Sequence, residues 1–244
     1  MIGSAVAAGY RHIDTAALYG NERGVGRGIR EAAIDRSELF VTTKVWNTEH
    51  GFDETLRAFD ASLDALGLDH VDLYLIHWPA PGQGRYLDSW RALMQLRADG
   101  RVRSIGVSNF MEAQLRHLIE ATGVTPVLNQ VELHPHFQQT PLRAVHAELG
   151  IATEAWSPLG RGAVLGEPKI AAIARKHGRS PAQVILAWHL ALGIIAIPKS
   201  ATPARIRENF AVFDIRLDAD DMAAIASLDR PDGRTGPDPS LFPG

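Results

Sequence analysis

Short runs rich in β-branched and aromatic residues alternate with longer amphipathic stretches from one end of this 244-residue chain to the other. That alternation is what most limits the fold. Strands are expected at 10–14, 39–45, 71–77, 102–108, 127–132, 151–156 and 194–198. Between them apolar residues recur three or four apart, most plainly over 52–66, where Leu56, Phe59, Leu63 and Leu66 make one stripe. Helices are also expected over 112–122, 141–149, 181–192, 203–210 and 218–228. Pro141, Pro181 and Pro203 each follow a Thr or Ser, the order of an N-cap and a first helical position.

Strand and helix in unbroken alternation place helices on the faces of a parallel sheet. Seven strands are more than an open sheet of this kind usually carries, so the expected class is α/β with a (β/α)8 TIM barrel forming one domain over 1–244. Seven strands are one short of closure at about 30 residues per unit. The chain also opens directly on an apolar helical turn, 2–8, so a first strand is expected to be missing.

Composition narrows the function. Net charge is −3 with Lys and Arg scattered, which leaves no footprint for nucleic acid or a membrane surface. Cysteine is absent, excluding disulfides, zinc thiolates and a cysteine nucleophile. No apolar stretch reaches the roughly 18–20 residues that span a bilayer, and residues 1–10 lack a basic-then-apolar leader pattern. The expectation is a cytoplasmic monomer acting on a small molecule, with no metal.

Four polar residues fall at or just beyond strand ends: Asp14, Tyr19, Lys44 and His77. In a barrel those ends share the face on which active sites are built. A phenol holds its proton at neutral pH, and a nearby ammonium lowers its pKa and eases donation. Lys44 is placed to supply that charge, Asp14 to balance it, and His77 to orient a substrate oxygen. The set suits protonation of an oxygen while the adjoining carbon receives a hydride. Each residue alone has a plainer reading: Asp14 as a cap, Tyr19 as packing, His77 as a satisfied core histidine. Their conjunction on one face carries the argument.

Three other motifs carry less. Gly24-Val25-Gly26-Arg27-Gly28 fails the dinucleotide fingerprint because Ile29 holds the last position. Gly106-Val107-Ser108-Asn109-Phe110 fails the nucleophile elbow because Phe110 replaces its closing glycine. His134-Pro135-His136 lacks an obvious third metal ligand.

Taken together, Asp14-Thr15-Ala16-Ala17-Leu18-Tyr19-Gly20-Asn21-Glu22, Gly106–Phe110, Asn129-Gln130-Val131-Glu132, Trp156-Ser157-Pro158-Leu159-Gly160 and Ile197-Pro198-Lys199-Ser200 resemble the signatures of the aldo-keto reductases. Trp156 and the tail Gly-Arg-Thr-Gly-Pro-Asp-Pro at 233–239 resemble the bacterial 2,5-diketo-D-gluconate reductase type. The resemblance implies NADPH/NADP+ as cofactor and reduction of aldehydes, ketones or dicarbonyls of the 2,5-diketo-D-gluconate or methylglyoxal kind. It implies Asp14, Tyr19, Lys44 and His77 as the catalytic tetrad, with Tyr19 the proton donor. It implies Ser108, Asn109 and Gln130 on the nicotinamide carboxamide, Trp156 stacked on the ring, and Ser157, Leu159, Gly160 and Arg161 at the pyrophosphate. Lys199, Ser200 and Arg205 fall at the 2′-phosphate, Glu208 and Asn209 at the adenine. Trp46, Trp78 and His77 are expected to line the substrate pocket, and the tail over 230–244 to cover its mouth. Against the family pattern, an N-terminal hairpin and the first strand are expected to be absent. Two other classes stay in view: a nucleotide-binding barrel serving as a sensor or partner subunit, and an aldolase using Lys44 as a Schiff base.

Overall fold

The computed structural model describes residues 1–242, so Pro243 and Gly244, the end of the expected tail, lie outside the described residues. The chain forms two compact units. One holds Met1–Asn129, Glu148–Ile151 and the segment from Asp238; the other holds Gln130–Ala147 and Ala152–Pro237.

The first unit opens on α1 (Ile2–Ala8), which stops at left-handed Gly9. It continues through β1 (His12–Asp14), α2 (Glu22–Glu31), β2 (Phe40–Val45), α3 (Phe52–Leu66), β3 (Val71–Ile76), α4 (Tyr86–Ala98), β4 (Val102–Ser108) and α5 (Glu112–Thr122). β5 (Leu128–Glu132) and α6 (Thr140–Leu149) cross the boundary between the units. The second unit adds β6 (Ala152–Trp156), α7 (Pro168–His177), α8 (Pro181–Ala191), β7 (Ile195–Ala196), α9 (Pro203–Phe210) and α10 (Ala219–Ala226).

Within the first unit every strand pairs in parallel with its neighbour in chain order: β1 with β2, β2 with β3, β3 with β4. β3 is buried throughout and β2 from its second residue. Both faces of these strands are covered, so their polar members Thr42, Thr43, Lys44 and Asp72 are buried as well. In the second unit β6 pairs in parallel with β7, and Leu186, Ala187, Val212 and Ile215 form a core.

Register decides where the polar residues fall. Asp14 stands opposite Thr42, and Lys44 lies two residues further along β2, on the same side as Thr42. His77 follows the last residue of β3, its backbone N–H donating to Val45 O at 3.2 Å. Three strands therefore bring Asp14, Lys44 and His77 to one edge, their C-terminal one.

The expected elements need several corrections. The last strand shrinks from 194–198 to two residues. α2, α4 and α7 fill stretches where the alternation implied a helix but no bounds were given. α2 runs through the glycine cluster at 24–28 because it packs unusually close to α3: a Cβ on Gly26 would sit 1.9 Å from the carbonyl oxygen of Leu66. Of the three expected caps, Ser180 accepts from Gln183 N at 3.3 Å, Thr202 makes no side-chain cap bond, and Thr140 lies inside α6. Among the described residues no helix is long and apolar enough to cross a membrane.

Candidate active site

β1 and β2 place a carboxylate beside an amine. Lys44 Nζ donates to Asp14 Oδ1 at 2.5 Å and to the backbone oxygen of Thr15 at 3.0 Å, and its side chain is wholly buried. A buried ammonium needs such partners, since removing either half of a buried pair strands the other charge. Tyr19 follows on a short 3₁₀ turn, Ala17–Tyr19, with left-handed Gly20 closing it. Its ring lies under Lys44 Nζ, 5.5 Å from the ammonium, and meets the His77 ring edge to face at 5.7 Å. Phenol, amine, acid and imidazole thus come together in the first unit.

Their electrostatics correct one expectation. The Tyr19 hydroxyl is raised above the ordinary phenol value, because burial outweighs the pull of Lys44 and Asp14 offsets part of that pull. Tyr19 nevertheless remains half exposed at 50 %, so the phenol is both protonated and reachable. Burial first, and Lys44 second, push His77 down to about 3. Its imidazole is neutral at physiological pH, and its Nδ1 is buried without a hydrogen-bond partner.

Aromatic walls surround this cluster. Trp46 stands edge to face with His77 at 5.2 Å. Phe242 packs on Trp46 at 6.2 Å and on Trp78 at 4.6 Å. Phe242 belongs to the tail expected over 230–244, though it was not itself singled out. At the end of β4, Asn109 takes a left-handed conformation, φ 63°. Its Nδ2 donates to His77 O and to Ser108 Oγ, each at 3.0 Å.

The second unit holds the remaining expected residues. Gln130 Nε2 donates to Glu154 Oε2 at 3.0 Å in a buried site. After Trp156 the backbone coils tightly, with Ser157, Gly160, Arg161 and Gly162 all at positive φ, a geometry of the kind that forms anion-binding nests. Lys199 and Arg205 are exposed and carry no carboxylate partner among the described residues, Ser200 bonds locally to Thr202, and Glu208 and Asn209 lie on α9. A phosphate-bearing dinucleotide fits this donor set: two unneutralised cations and a hydroxyl lie near one another along the chain, and a coiled backbone follows an aromatic ring.

Sequence reasoning had missed Glu132. It is buried and accepts from His134 Nε2, Thr235 N, Thr235 Oγ1 and Gly236 N. The available signal was three polar residues, Asn129, Gln130 and Glu132, in a five-residue strand that is buried throughout. The pair His134 and His136 bonds to carboxylates, Glu132 and Glu167 respectively. Among the described residues there is no group of three or more side chains able to hold a metal.

Acid stability follows from buried histidines. His77 titrates near 3, and His50, His146 and His189 near 4, each lowered chiefly by burial. The unfolded chain, with histidines near the ordinary 6.5, binds more protons between those values. Stability is therefore full above about pH 6.5 and falls as pH drops toward 4. Urea unfolding at pH 7.5 and pH 5 should show a loss on the order of 1–2 kcal/mol per histidine; equal midpoints would refute these neutral buried states.

The family model described as Aldo/keto reductase family matches residues 1–230. That match begins at residue 1 and lends no support to the expected absence of an opening hairpin and strand. An aldo-keto reductase of Mycobacterium sp. (strain JLS) is 54 % identical over 99 % of this chain and 87 % of its own length. Methylglyoxal reductase DkgA of Escherichia coli (strain K12) is 49 % identical over 100 % of this chain and 88 % of its own. Among solved structures, a Gox0644 variant in complex with NADPH superposes with a TM-score of 0.95 at 53 % identity, covering 99 % of this chain and 88 % of that one. A putative 2,5-diketo-D-gluconic acid reductase B superposes at 0.94 with 38 % identity, covering 97 % and 84 %.

Proposed function

Given that this chain belongs to the aldo/keto reductase family, we propose that it reduces small aldehydes, ketones or dicarbonyls to alcohols, with Tyr19 as the proton donor. It is an NADP-dependent oxidoreductase. The observation that carries the proposal is the meeting of Tyr19, Lys44, Asp14 and His77 at one strand edge.

NADPH, when bound, supplies the hydride that adds to the carbonyl carbon. The carbonyl oxygen gains charge as that bond forms, and the Tyr19 hydroxyl gives it a proton. Lys44 then faces a developing phenolate, which its ammonium stabilises. Asp14 holds the ammonium in place through the 2.5 Å bond. The neutral imidazole of His77 offers an N–H to the same carbonyl oxygen and fixes its direction, while Trp46, Trp78 and Phe242 exclude water from that side.

For the cofactor we assign Ser108, Asn109 and Gln130 to the carboxamide and Trp156 to stacking on the nicotinamide. Ser157, Leu159, Gly160 and Arg161 go to the pyrophosphate, Lys199, Ser200 and Arg205 to the 2′-phosphate, and Glu208 and Asn209 to the adenine. The free charges of Lys199 and Arg205 favour a phosphate dianion, because charge-assisted hydrogen bonds are the strong ones. Arg205→Ala should weaken NADPH binding about 10–100-fold and NADH binding by less than about twofold. Equal losses for both nucleotides would remove Arg205 from the 2′-phosphate.

A methylglyoxal-type dicarbonyl is the favoured substrate, on the 49 % identity to a methylglyoxal reductase and the aromatic ring of Trp46 set against His77. NADPH consumption with methylglyoxal tests the whole reading. Tight NADPH binding without turnover on methylglyoxal or simple aldehydes would return the sensor reading instead.

A further inference from the structure

In the second unit the C-terminal segment runs back along the loop after β5. Asp229 accepts from Gln138 N at 2.9 Å, and Arg230 bonds to His136 through its backbone at 3.1 Å and its guanidinium at 2.7 Å. The Arg234 guanidinium lies 4.5 Å over the Phe137 ring. Thr235 and Gly236 then close onto Glu132, with bonds of 2.7 Å (Thr235 N), 2.5 Å (Thr235 Oγ1) and 2.9 Å (Gly236 N). His134 Nε2 completes the set at 3.0 Å. One buried carboxylate thus gathers four polar groups, three of them from a segment more than a hundred residues away.

The pinned segment presses on an aromatic ring. A Cβ on Gly236 would lie 2.5 Å from Trp156 Cη2 and 3.1 Å from Glu132 Oε2, so only glycine brings the backbone this near. Leu133 N, beside Glu132, also donates to the backbone oxygen of Trp156 at 3.4 Å. Ring and carboxylate are therefore linked both through the tail and through the strand.

We propose that Glu132 is a positioning residue for the cofactor: it clamps Thr235 and Gly236 against the edge of Trp156 and so fixes the ring on which the nicotinamide stacks. This rests on the assignment of Trp156 to that stacking. Glu132 touches no reacting atom; it acts through the tail. The four bonds hold its carboxyl well below the ordinary range, near 2, against the opposing effect of burial, so the clamp stays charged and closed throughout the working pH range.

The role separates binding from chemistry. Glu132→Gln keeps the shape but replaces one accepting oxygen with a donor, which cannot pair with a backbone N–H. Its NADPH Kd should rise roughly tenfold, kcat at saturating NADPH should stay within about twofold, and trypsin should cut the tail after Arg234 sooner. Gly236→Ala, with Glu132 intact, should raise Kd similarly by pushing on the Trp156 ring. If Glu132→Gln folds poorly, Thr235→Val, which removes only the hydroxyl bond, gives the same test with a smaller rise. Tryptophan fluorescence during NADPH titration reads all of them. A freed tail with unchanged NADPH affinity in Glu132→Gln, or unchanged affinity in Gly236→Ala, overturns the proposal alone. Unchanged affinity in Trp156→Leu overturns the stacking assignment, and this inference with it.

Discussion

Tyr19→Phe is expected to lower kcat by about 10²–10⁴-fold while NADPH affinity stays within about twofold. The substitution removes one hydroxyl and keeps the ring that packs on His77 and lies under Lys44. No other proton donor in the cluster is equivalent: Lys44 is bound to Asp14 and Thr15, and His77 is neutral with a strongly depressed pKa. Steady-state NADPH oxidation with methylglyoxal, alongside a fluorescence titration, separates the two quantities. Turnover within about threefold of the parent would remove Tyr19 from the donor role. A matched loss of binding would place the Tyr19 hydroxyl in cofactor binding rather than in proton delivery.

Lys44→Met should be nearly as damaging and should also cost stability. Methionine fills similar volume but leaves Asp14 facing a dry pocket, its side chain 9 % exposed. Breaking a buried pair in this way costs about 3–5 kcal/mol, and the partial exposure of Asp14 places the expected loss at the lower end. Turnover should fall by about 10²-fold or more, because the developing phenolate loses the ammonium that faces it. Asp14→Asn with Lys44→Met should recover part of the stability and none of the turnover. That pattern separates structural from chemical cost; if the double variant regained activity, the ammonium would have only a packing role. Urea unfolding and single-turnover reduction give the two readings.

These predictions concern residues that could be read from the chain before any coordinates. β2, β3 and β4 are legible because each is a short run rich in β-branched and aliphatic residues, most of them buried. Lys44 stands out for the same reason: an ammonium in such a run demands a partner. The bounds of α2 were not legible, since three glycines argue against a helix and only the closeness of Leu66 explains Gly26. The direction of the Tyr19 shift was misjudged because desolvation depends on what covers the ring, and spacing does not show that. Glu132 was given no role because three of its four bonding partners lie on a distant tail, whereas Phe242 falls in the tail expected over the mouth and was only not singled out. Local pattern carries no record of such a return.

The walls around His77 have two different origins. Trp46 and Trp78 directly follow β2 and the His77 position, so they move with the reacting groups, whereas Phe242 arrives on a segment that shares no strand with them. On the proposed function, changes at the end of the chain would alter which carbonyls are admitted and leave proton delivery untouched. Related lineages would then diverge in diet before they diverge in chemistry.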